Sequence, residues 1–398
     1  MALQFNSSLP LSLYVHIPWC VRKCPYCDFN SHEQSGELPE AQYVDALIAD
    51  LEQDLPRVWG RRLSSIFIGG GTPSLFSAEA IDRLLGAVRA RLVCQPDMEI
   101  TLEANPGTVE AGRFAEFRAA GVNRLSIGVQ SFDAQKLQAL GRIHDPAQAM
   151  RAAEQAHDAG FATFNLDLMH GLPGQSLEGA MRDLDTAIAL NPTHISWYQL
   201  TLEPNTVFAK KPPVLPDDDV LWDIQEAGWE KLRQAGYGQY EVSAFAKPNH
   251  HSRHNVNYWS FGDYLGIGAG AHGKLTDLQY QRAYRTTKKK IPRDYLDPAK
   301  AFLSEETDIP EREMPFEFML NALRLNDGVP VAYFNERTGM QLSQIAPVLA
   351  KARSLELLDN EPGFIRPTEK GHRFLNDLLE MFLPDNLPKS RVIPIQPV

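Results

Sequence analysis

The stretch that decides the fold is YVHIPWCVRKCPYCDF at residues 14–29, where Cys20, Cys24 and Cys27 follow a short run of strand-forming residues. Their CxxxCxxC spacing places three thiols on one loop. Three thiolates can bind three irons of a [4Fe-4S] cube and leave the fourth iron open to another ligand. A structural zinc site usually needs four protein ligands in two pairs, and the remaining cysteine, Cys94, stands alone. The pattern predicts a [4Fe-4S] cluster, with zinc or three unliganded thiols as the alternatives.

The composition is that of an ordinary globular protein. The chain has 398 residues, 43% of them hydrophobic and 22% charged, with a formal net charge of −11. This acidic balance argues against nucleic-acid binding, which needs an excess of Lys and Arg. No apolar run approaches the roughly 18 residues of a membrane span, and the first residues lack the positive segment of a signal peptide. We therefore expect a cytoplasmic protein with no transmembrane segment and no nucleic-acid partner.

Short apolar runs alternate with longer segments of helical period. The runs occupy residues 11–18, 64–71, 99–106, 124–131, 163–171 and 194–201, and the helical segments occupy residues 41–55, 78–92, 109–120, 147–159 and 177–190. Ser77, Thr108 and Ser176 are suitable N-caps for three of the helices. This order predicts an α/β fold with parallel strands covered by helices, either doubly wound or in a barrel. Repeated units of similar size favour a partial (β/α)6 barrel, with residues 238–246 as an added edge strand.

The pattern changes towards the C-terminus. Residues 1–246 are predicted to form the core barrel, and residues 247–300 a connecting region that carries the HNVNYW and GIGAG loops. Residues 301–384 show the order helix, helix, short hairpin and helix, which is typical of a small, mainly helical, winged-helix-like domain. We expect this domain to act as a lid or as a docking module for partners. Residues 385–398 are predicted to be a tail.

A second motif, GGGTP at residues 69–73, ends the second predicted strand. Glycines at such a place let the backbone approach a bound group without obstruction by side chains. Together with the cysteine motif, in which Tyr26 precedes the third cysteine, it resembles the radical S-adenosylmethionine (SAM) superfamily. The resemblance implies a cluster at the C-terminal rim of the barrel, with SAM chelating the open iron. It also implies SAM contacts from nine residues: Tyr14, Tyr26, Gly70, Gly71, Thr72, Glu103, Gln130, Arg142 and Asp167.

Longer signatures narrow the resemblance. IFIGGGTPSLF, EANPGT, RLSIGVQSF and NLDLMHGLPGQ are similar to segments of the oxygen-independent coproporphyrinogen III oxidase family. That family contains dehydrogenases of haem synthesis and haem chaperones of the HemW type. The dehydrogenases carry a fourth cysteine two residues after the third, where this chain has Phe29, and a long N-terminal extension, where this chain has nineteen residues before Cys20. Both departures favour the haem chaperones.

The HNVNYW segment at residues 254–259 matches the HNxxYW motif of the haem chaperones. Imidazole is a good axial ligand for haem iron, and neighbouring aromatic side chains offer a flat apolar face to a porphyrin. The resemblance makes His254 the candidate haem ligand. The residues alone leave a second interpretation open, in which His254 is a loop histidine and Trp259 packs under the barrel.

The expected function is haem binding and delivery to haem-requiring proteins such as respiratory enzymes, with the cluster and SAM in a supporting or gating role. Contact with membrane complexes would be peripheral, and the sequence leaves open whether the chain forms a homodimer and whether SAM is cleaved. The rival function is an enzyme, a coproporphyrinogen III dehydrogenase that decarboxylates its substrate by radical chemistry. Phe29 and the HNVNYW segment favour a chaperone without that activity. A purely structural iron-sulphur protein is the third alternative, and the polar residues at the strand ends speak against it.

Overall fold

The computed structural model describes residues 3–107 and 112–384, so Thr108, the first residues of the predicted helix at 109–120 and the predicted tail lie outside the described residues. The strands are β1 (Leu11–Ile17), β2 (Trp19–Cys20), β3 (His32–Glu33), β4 (Arg62–Gly70), β5 (Val93–Ala104), β6 (Arg124–Gln130), β7 (Thr163–His170), β8 (His194–Gln199), β9 (Gly238–Glu241), β10 (Ala244–Ala246), β11 (Asp263–Ile267), β12 (His272–Asp277), β13 (Arg282–Lys288), β14 (Leu303–Asp308), β15 (Val329–Pro330) and β16 (Phe364–Ile365).

The helices are α1 (Glu40–Asp54), α2 (Ala78–Arg91), α3 (Phe114–Ala119), α4 (Ala134–Ala139), α5 (Pro146–Asp158), α6 (Leu177–Ala189), α7 (Val207–Lys210), α8 (Asp218–Gln234), α9 (Arg253–Trp259), α10 (Pro292–Tyr295), α11 (Met314–Ala322), α12 (Ala332–Thr338), α13 (Ala346–Ser354), α14 (Glu369–Arg373) and α15 (Leu375–Glu380). Two predicted N-caps are in place, because Ser77 accepts a hydrogen bond from the Ala80 amide and Ser176 accepts one from the Gly179 amide. Within residues 3–107 and 112–384, no helix has the length and apolar character needed to cross a membrane.

The central sheet has the strand order β14-β13-β12-β11-β1-β4-β5-β6-β7-β8-β10-β9. The strands from β11 to β8 in this order run parallel, and the flanking strands are antiparallel. In the described part of the chain the outermost strands β14 and β9 do not pair with each other. The predicted α/β class, with a mainly parallel sheet and a helical C-terminal region, is confirmed.

The two faces of the parallel strands differ sharply in polarity. In β1, Leu13 and Val15 belong to the hydrophobic core, while Tyr14 and His16 alternate with them and lie on the opposite face. The same alternation continues in β5, β6 and β7, whose residues on the apolar face pack against the covering helices. Because successive side chains of a strand point to opposite faces, the polar residues collect on one inner surface. Buried polar groups need hydrogen-bond partners, so a sheet that keeps them on its inner face is suited to binding a ligand there and not to packing apolar side chains.

Residues 247–300 have more regular structure than their sequence indicates. They contain α9, three strands that extend the sheet beyond β1, and α10. β11 pairs in parallel with β1, so the chain returns to the centre of the sheet after completing β10. The run at 238–246 also differs from the prediction, because it forms two antiparallel strands, β9 and β10, instead of one.

The C-terminal helices pack beneath the sheet and form a second hydrophobic core. Phe318 contacts Phe261 with ring centroids 5.7 Å apart, and Arg337 donates a hydrogen bond to the Ser260 carbonyl. Phe261 and Ser260 immediately precede β11, so this contact lies at the N-terminal ends of the parallel strands. The cysteine loop lies at the opposite, C-terminal end, after β1. The domain therefore lies at the end of the sheet away from the cysteine loop, and its role as a lid or as a docking module stays a prediction.

Candidate cluster and cofactor site

The cysteine loop is held closed by a short parallel pairing. β2 pairs with β3, which places Trp19 opposite His32 and Cys20 opposite Glu33. Cys24 and Cys27 lie in the loop between these strands, where the Cys27 amide donates to the Cys24 carbonyl over 3.2 Å. All three cysteines are free, Cys20 is buried, and the other two are partly exposed. The structure therefore presents three thiols on one ordered loop.

The thiols lie close enough to influence one another. Burial raises the pKa of the Cys20 thiol to about 11, a hydrogen bond with Thr72 works against this rise, and the charges of Cys27 and Cys24 add to it. Among the described residues, no three His, Cys, Asp or Glu side chains are arranged to hold one metal ion. A single ion needs its ligands to meet at one point about 2.3 Å from each sulphur, whereas each cysteine of a cube binds its own iron. The donor set fits the cube better than the single ion.

The GGGTP segment lies directly against the cysteine loop. The Gly71 amide donates to the Ile17 carbonyl and the Thr72 amide to the Trp19 carbonyl, each over 2.7 Å. A Cβ atom added at Gly71 would lie 2.5 Å from the Trp19 carbonyl oxygen and 3.0 Å from Cys20 Sγ. Glycine is required here because any side chain would displace the cysteine loop.

Gly70 connects this segment to β5. Its φ of 121° falls where residues with a side chain are strained, and its amide donates to Glu103 Oε2 over 2.9 Å. Burial and the charge of Asp167 together raise the pKa of Glu103 to about 8, although the Gly70 hydrogen bond works against this rise. Burial also raises the pKa of Asp167, against hydrogen bonds from Ser126 and Asn165. Both carboxyls are half-buried on the inner face, and neither forms an ion pair within residues 3–107 and 112–384, so they are poised for a cationic or hydroxyl-bearing ligand.

Arg142 joins the cysteine loop to the strand ends. Its Nη1 donates to Cys24 Sγ over 3.6 Å, and its Nη2 donates to Asn105 Oδ1 over 2.6 Å and to the Gly128 carbonyl over 2.7 Å. Asn105 in turn donates from Nδ2 to Thr72 Oγ1 over 3.0 Å. Three loops that follow different strands are thus tied together by one amide and one guanidinium group.

The remaining predicted residues flank this network. Gln130 ends β6 with a φ of 67° and accepts a hydrogen bond from the Tyr198 hydroxyl over 2.8 Å. Tyr26 packs against Phe208, whose amide donates to the Pro25 carbonyl over 3.0 Å. Tyr14 lies deeper on the inner face. Its hydroxyl contacts His16 Nδ1 over 2.7 Å, and its ring stacks on Phe67 with centroids 6.0 Å apart.

His254 lies apart from the cysteine loop, on the floor of the inner face. It is 4% exposed, and its Nδ1 lies 3.1 Å from Glu99 Oε1 near the start of β5. Burial would raise the pKa of Glu99, but hydrogen bonding to His254 and the charge of Arg124 lower it to about 2. His254 also packs on Phe67 with ring centroids 4.2 Å apart. The structure thus brings the cysteine loop, the glycine segment and Arg142 together. Tyr14 lies between them and His254, because Phe67 packs on both rings.

Asn105 and Tyr198 were missed by sequence reasoning. Both follow the alternation of polar with apolar residues along β5 and β8, and Asn105 stands inside the EANPGT signature. Marking every second position of the apolar runs would have placed Tyr198 on the inner face. Glu99 was missed for the same reason, since it precedes Glu103 on the same face of β5.

Comparison with known proteins agrees with the resemblance seen in the sequence. A family model described as the Radical SAM superfamily matches residues 14–187, and one described as the HemN C-terminal domain matches residues 309–374. The chain is 55% identical to heme chaperone HemW of Escherichia coli (strain K12) over 94% of this chain and 98% of that protein. It is 35% identical to heme chaperone HemW of Bacillus subtilis (strain 168) over 94% of this chain and 99% of that protein.

Among solved structures, the chain is similar to coproporphyrinogen III oxidase (HemN) from Escherichia coli, described as a radical SAM enzyme, with a TM-score of 0.79 and 25% identity. The similarity covers 96% of this chain and 91% of that structure. The fold, the cysteine loop and the glycine segment against it define a radical SAM protein. Within that class, the near full-length identities show that the chain belongs to the family of HemW haem chaperones.

Proposed function

We propose that this protein binds haem and delivers it to haem-requiring proteins, respiratory enzymes among them, with a [4Fe-4S] cluster and SAM as its cofactors. The observation that carries the proposal is the 55% identity to a haem chaperone over 94% of the chain. Phe29 supports it, because an exposed phenylalanine in the cysteine loop can contact an apolar ligand but cannot bind iron. Both the ligand and the delivery step are open to direct test.

Cys20, Cys24 and Cys27 are the proposed cluster ligands. Their lack of disulfides and the contact of Arg142 with Cys24 Sγ suit a negatively charged cluster. Iron binding must displace the proton that burial keeps on Cys20, so loading the cluster would release protons.

SAM is the proposed ligand of the inner face beside the cysteine loop. The Glu103 and Asp167 carboxyls suit an ammonium group and ribose hydroxyls, and the Arg142 guanidinium suits a carboxylate. When bound, the cluster and SAM supply one-electron chemistry and the precursor of a 5′-deoxyadenosyl radical. The full proposed set comprises Tyr14, Tyr26, Gly70, Gly71, Thr72, Glu103, Gln130, Arg142 and Asp167.

His254 is the haem ligand that the HNVNYW motif suggests. Its buried Nδ1 is engaged with Glu99, so haem would have to reach the Nε2 atom through a displacement of α9. Replacing His254 with Ala and titrating haem under reducing conditions tests the motif. Unchanged haem affinity would reject His254 as a ligand without bearing on the chaperone function.

The decisive experiment is anaerobic reconstitution with iron and sulphide, followed by two assays on one sample. We expect haem to bind, to pass to an apo-cytochrome acceptor, and to leave coproporphyrinogen III unconverted. If the wild-type protein binds no haem, the proposal fails.

The second candidate is a coproporphyrinogen III dehydrogenase, which the likeness to HemN favours. It predicts SAM-dependent loss of carboxyl groups from the substrate and formation of 5′-deoxyadenosine. Phe29 stands where the dehydrogenases carry a cysteine, and we therefore expect neither product. Appearance of both products would reassign the protein to haem synthesis.

Location, membrane contact and domain boundaries belong to the same proposal. We propose a cytoplasmic protein that meets membrane complexes only peripherally, with domains at residues 1–246, 247–300 and 301–384. A homodimer is testable by sedimentation of the reconstituted protein with and without haem.

A further inference from the structure

Several large apolar side chains are exposed at the end of the molecule that carries the cysteine loop. Phe29 in that loop is 52% exposed, Val207 in α7 is 58% exposed, and Ile291 just before α10 is 51% exposed. Val21 and Val214 are exposed in the same region. One exposed apolar side chain is ordinary on a protein surface, whereas a group of them marks a candidate interaction site.

Hydrogen bonds hold the segments that carry these side chains against the cysteine loop. On one side, the Phe208 amide donates to the Pro25 carbonyl over 3.0 Å, which fixes α7 beside the loop. On the other side, Asn30 Nδ2 donates to the Lys290 carbonyl over 2.9 Å, which fixes the segment before α10. The segments therefore form one surface. We call it the loop-end surface, and it comprises residues 21–30, 207–214 and 289–293.

The loop-end surface is basic, although the chain as a whole has a formal net charge of −11. Its three segments contain seven Lys and Arg residues but only one carboxylate, Asp28. Lys210, Lys211 and Lys290 are exposed, and none of them forms an ion pair within residues 3–107 and 112–384. These three ammonium groups are therefore available to a negatively charged partner.

Two carboxylates that follow these segments in the sequence are already engaged elsewhere. Asp294 accepts a hydrogen bond from Lys300 Nζ over 2.7 Å, and Asp217 accepts one from the Val220 amide over 3.0 Å at the start of α8. Both are satisfied within their own segments, so neither forms an ion pair with the free lysines. The excess of positive charge at the loop-end surface is thus left without a counter-charge from these groups.

This combination of apolar and basic side chains fits an anionic lipid bilayer better than it fits another protein. Interfaces between proteins are depleted in Lys, whereas five of the seven cations here are lysines. At a bilayer, lysines pair with lipid phosphates, and apolar side chains enter the boundary between head groups and acyl chains. Phe29, Val207 and Ile291 stand on separate segments among these cations, which suits shallow insertion at several points.

We propose that the loop-end surface docks on membranes that contain anionic lipids, with Phe29, Val207 and Ile291 entering the head-group region and the lysines pairing with phosphates. The inference rests on the proposed peripheral contact with membranes, and it names the surface and the lipid charge. It turns the cysteine loop towards the bilayer. The C-terminal domain, at the opposite end of the sheet, then faces away from it. Membrane-bound acceptors thereby meet the end of the molecule that carries the proposed cofactors.

The test is co-sedimentation of the reconstituted full-length protein with vesicles of phosphatidylcholine, alone or mixed with phosphatidylglycerol. We expect binding to the mixed vesicles only, and weaker binding as the salt concentration rises. Lys210→Gln combined with Lys211→Gln should weaken binding by about tenfold or more, because each lysine near an anionic surface contributes about fivefold. Val207→Ser should weaken binding at low and high salt alike, because it removes apolar contact and leaves the charge unchanged.

The matched controls lie at the opposite end of the molecule, in and just after α13. Lys351→Gln removes an exposed cation there, and Leu355→Ser removes an apolar side chain that is 45% exposed. Both variants should bind the mixed vesicles like the wild type. Equal binding by the loop-end variants and these controls, or no vesicle binding by the wild type, would overturn the inference.

Two further readouts separate the inference from its alternatives. Salt-dependent binding of the loop-end surface to a purified acidic acceptor protein, without binding to vesicles, would assign the surface to a protein partner and reject the lipid. A haem titration of the same sample, made without vesicles, reports on the proposed function alone. Haem binding without vesicle binding would therefore overturn the inference and leave the haem function intact, and the reverse result would do the opposite.

Discussion

Gly71 illustrates how a single atom decides whether the cysteine loop can form. The added methyl group of Gly71→Ala would overlap the Trp19 carbonyl and press on Cys20 Sγ. The shorter contact is with the Trp19 backbone, so a rotamer change cannot relieve the strain, which should cost about 1–3 kcal/mol. We expect this variant to retain less iron and sulphide after reconstitution than the wild type.

Gly86→Ala is the control for that prediction. Gly86 lies inside α2, and a Cβ there would meet no atom within 4 Å. Alanine in a helix interior should stabilise the protein by about 0.5–1 kcal/mol. Equal cluster content in Gly71→Ala and Gly86→Ala would contradict the assignment of Gly71 to the cluster wall.

Glu103 is a single residue that should make the free energy of unfolding depend on pH. Its pKa is raised to about 8 in the folded protein, so the folded state holds a proton that the unfolded state releases above its ordinary pKa. The contribution of Glu103 to the free energy of unfolding is therefore greatest below that ordinary pKa. It declines as the pH rises towards 8, by up to about 1.4 kcal/mol per pH unit. Glu103→Gln removes the titration, so its stability relative to the wild type should improve between pH 5 and pH 8.

Urea unfolding of the cofactor-free proteins at these two pH values measures the effect. Glu178→Gln, an exposed carboxylate in the first turn of α6, is the control and should show no such trend. An identical pH dependence in wild type and Glu103→Gln would show that the carboxyl is ionised throughout.

At the scale of elements, Glu99 ties the start of α9 to β5. Its carboxylate accepts hydrogen bonds from the Arg253 amide over 3.0 Å and the His254 amide over 3.2 Å, and it faces the buried Arg124 at 4.0 Å. Glu99→Ala would leave that guanidinium buried without its counter-charge. We expect a loss of roughly 3–5 kcal/mol in the free energy of unfolding, measured by urea denaturation.

Asp97→Ala is the matched control on the same strand. Asp97 pairs with Arg253 over 2.8 Å, but both side chains are largely exposed. An exposed pair contributes at most about 1 kcal/mol. If both variants were equally stable, the helix would not depend on the buried carboxylate.

Among the helices and strands, the βα units could be predicted from the sequence, whereas the pairing of distant strands could not. The six βα units, with Ser77 and Ser176 at their caps, follow from hydrophobic period and local capping chemistry. The pairing of β11 with β1 does not, because the short run at 263–267 carries no signal of which strand it will join. Partners that are distant in sequence are chosen by the packing of the whole sheet.

At the scale of the whole molecule, the second hydrophobic core is built jointly by the C-terminal domain and by residues of the flanking strands. Phe318 is fully buried between Phe261 and Phe334, with ring centroids at 5.7 Å and 5.4 Å. Phe318→Ala should lower the stability by about 3–5 kcal/mol. Because the core spans both parts, we expect a single unfolding transition, seen together by circular dichroism and by cluster absorbance.

Phe374→Ala in the same domain is the control. Phe374 is 51% exposed, so its removal should change stability by no more than about 0.5 kcal/mol. Two separate transitions in Phe318→Ala would mean that the domain unfolds independently of the sheet.

The sequence by itself determined the class of the protein, since CxxxCxxC, GGGTP and the βα period are local patterns whose chemistry and geometry need no partner far along the chain. It also placed the polar residues at strand ends, because parallel strands share one C-terminal edge. Only the tertiary structure decided that Asn105 ties Thr72 to Arg142 and that Glu99 holds His254 in place. Those facts depend on distances between residues remote in sequence, which are set by how helices and strands pack and not by any local preference.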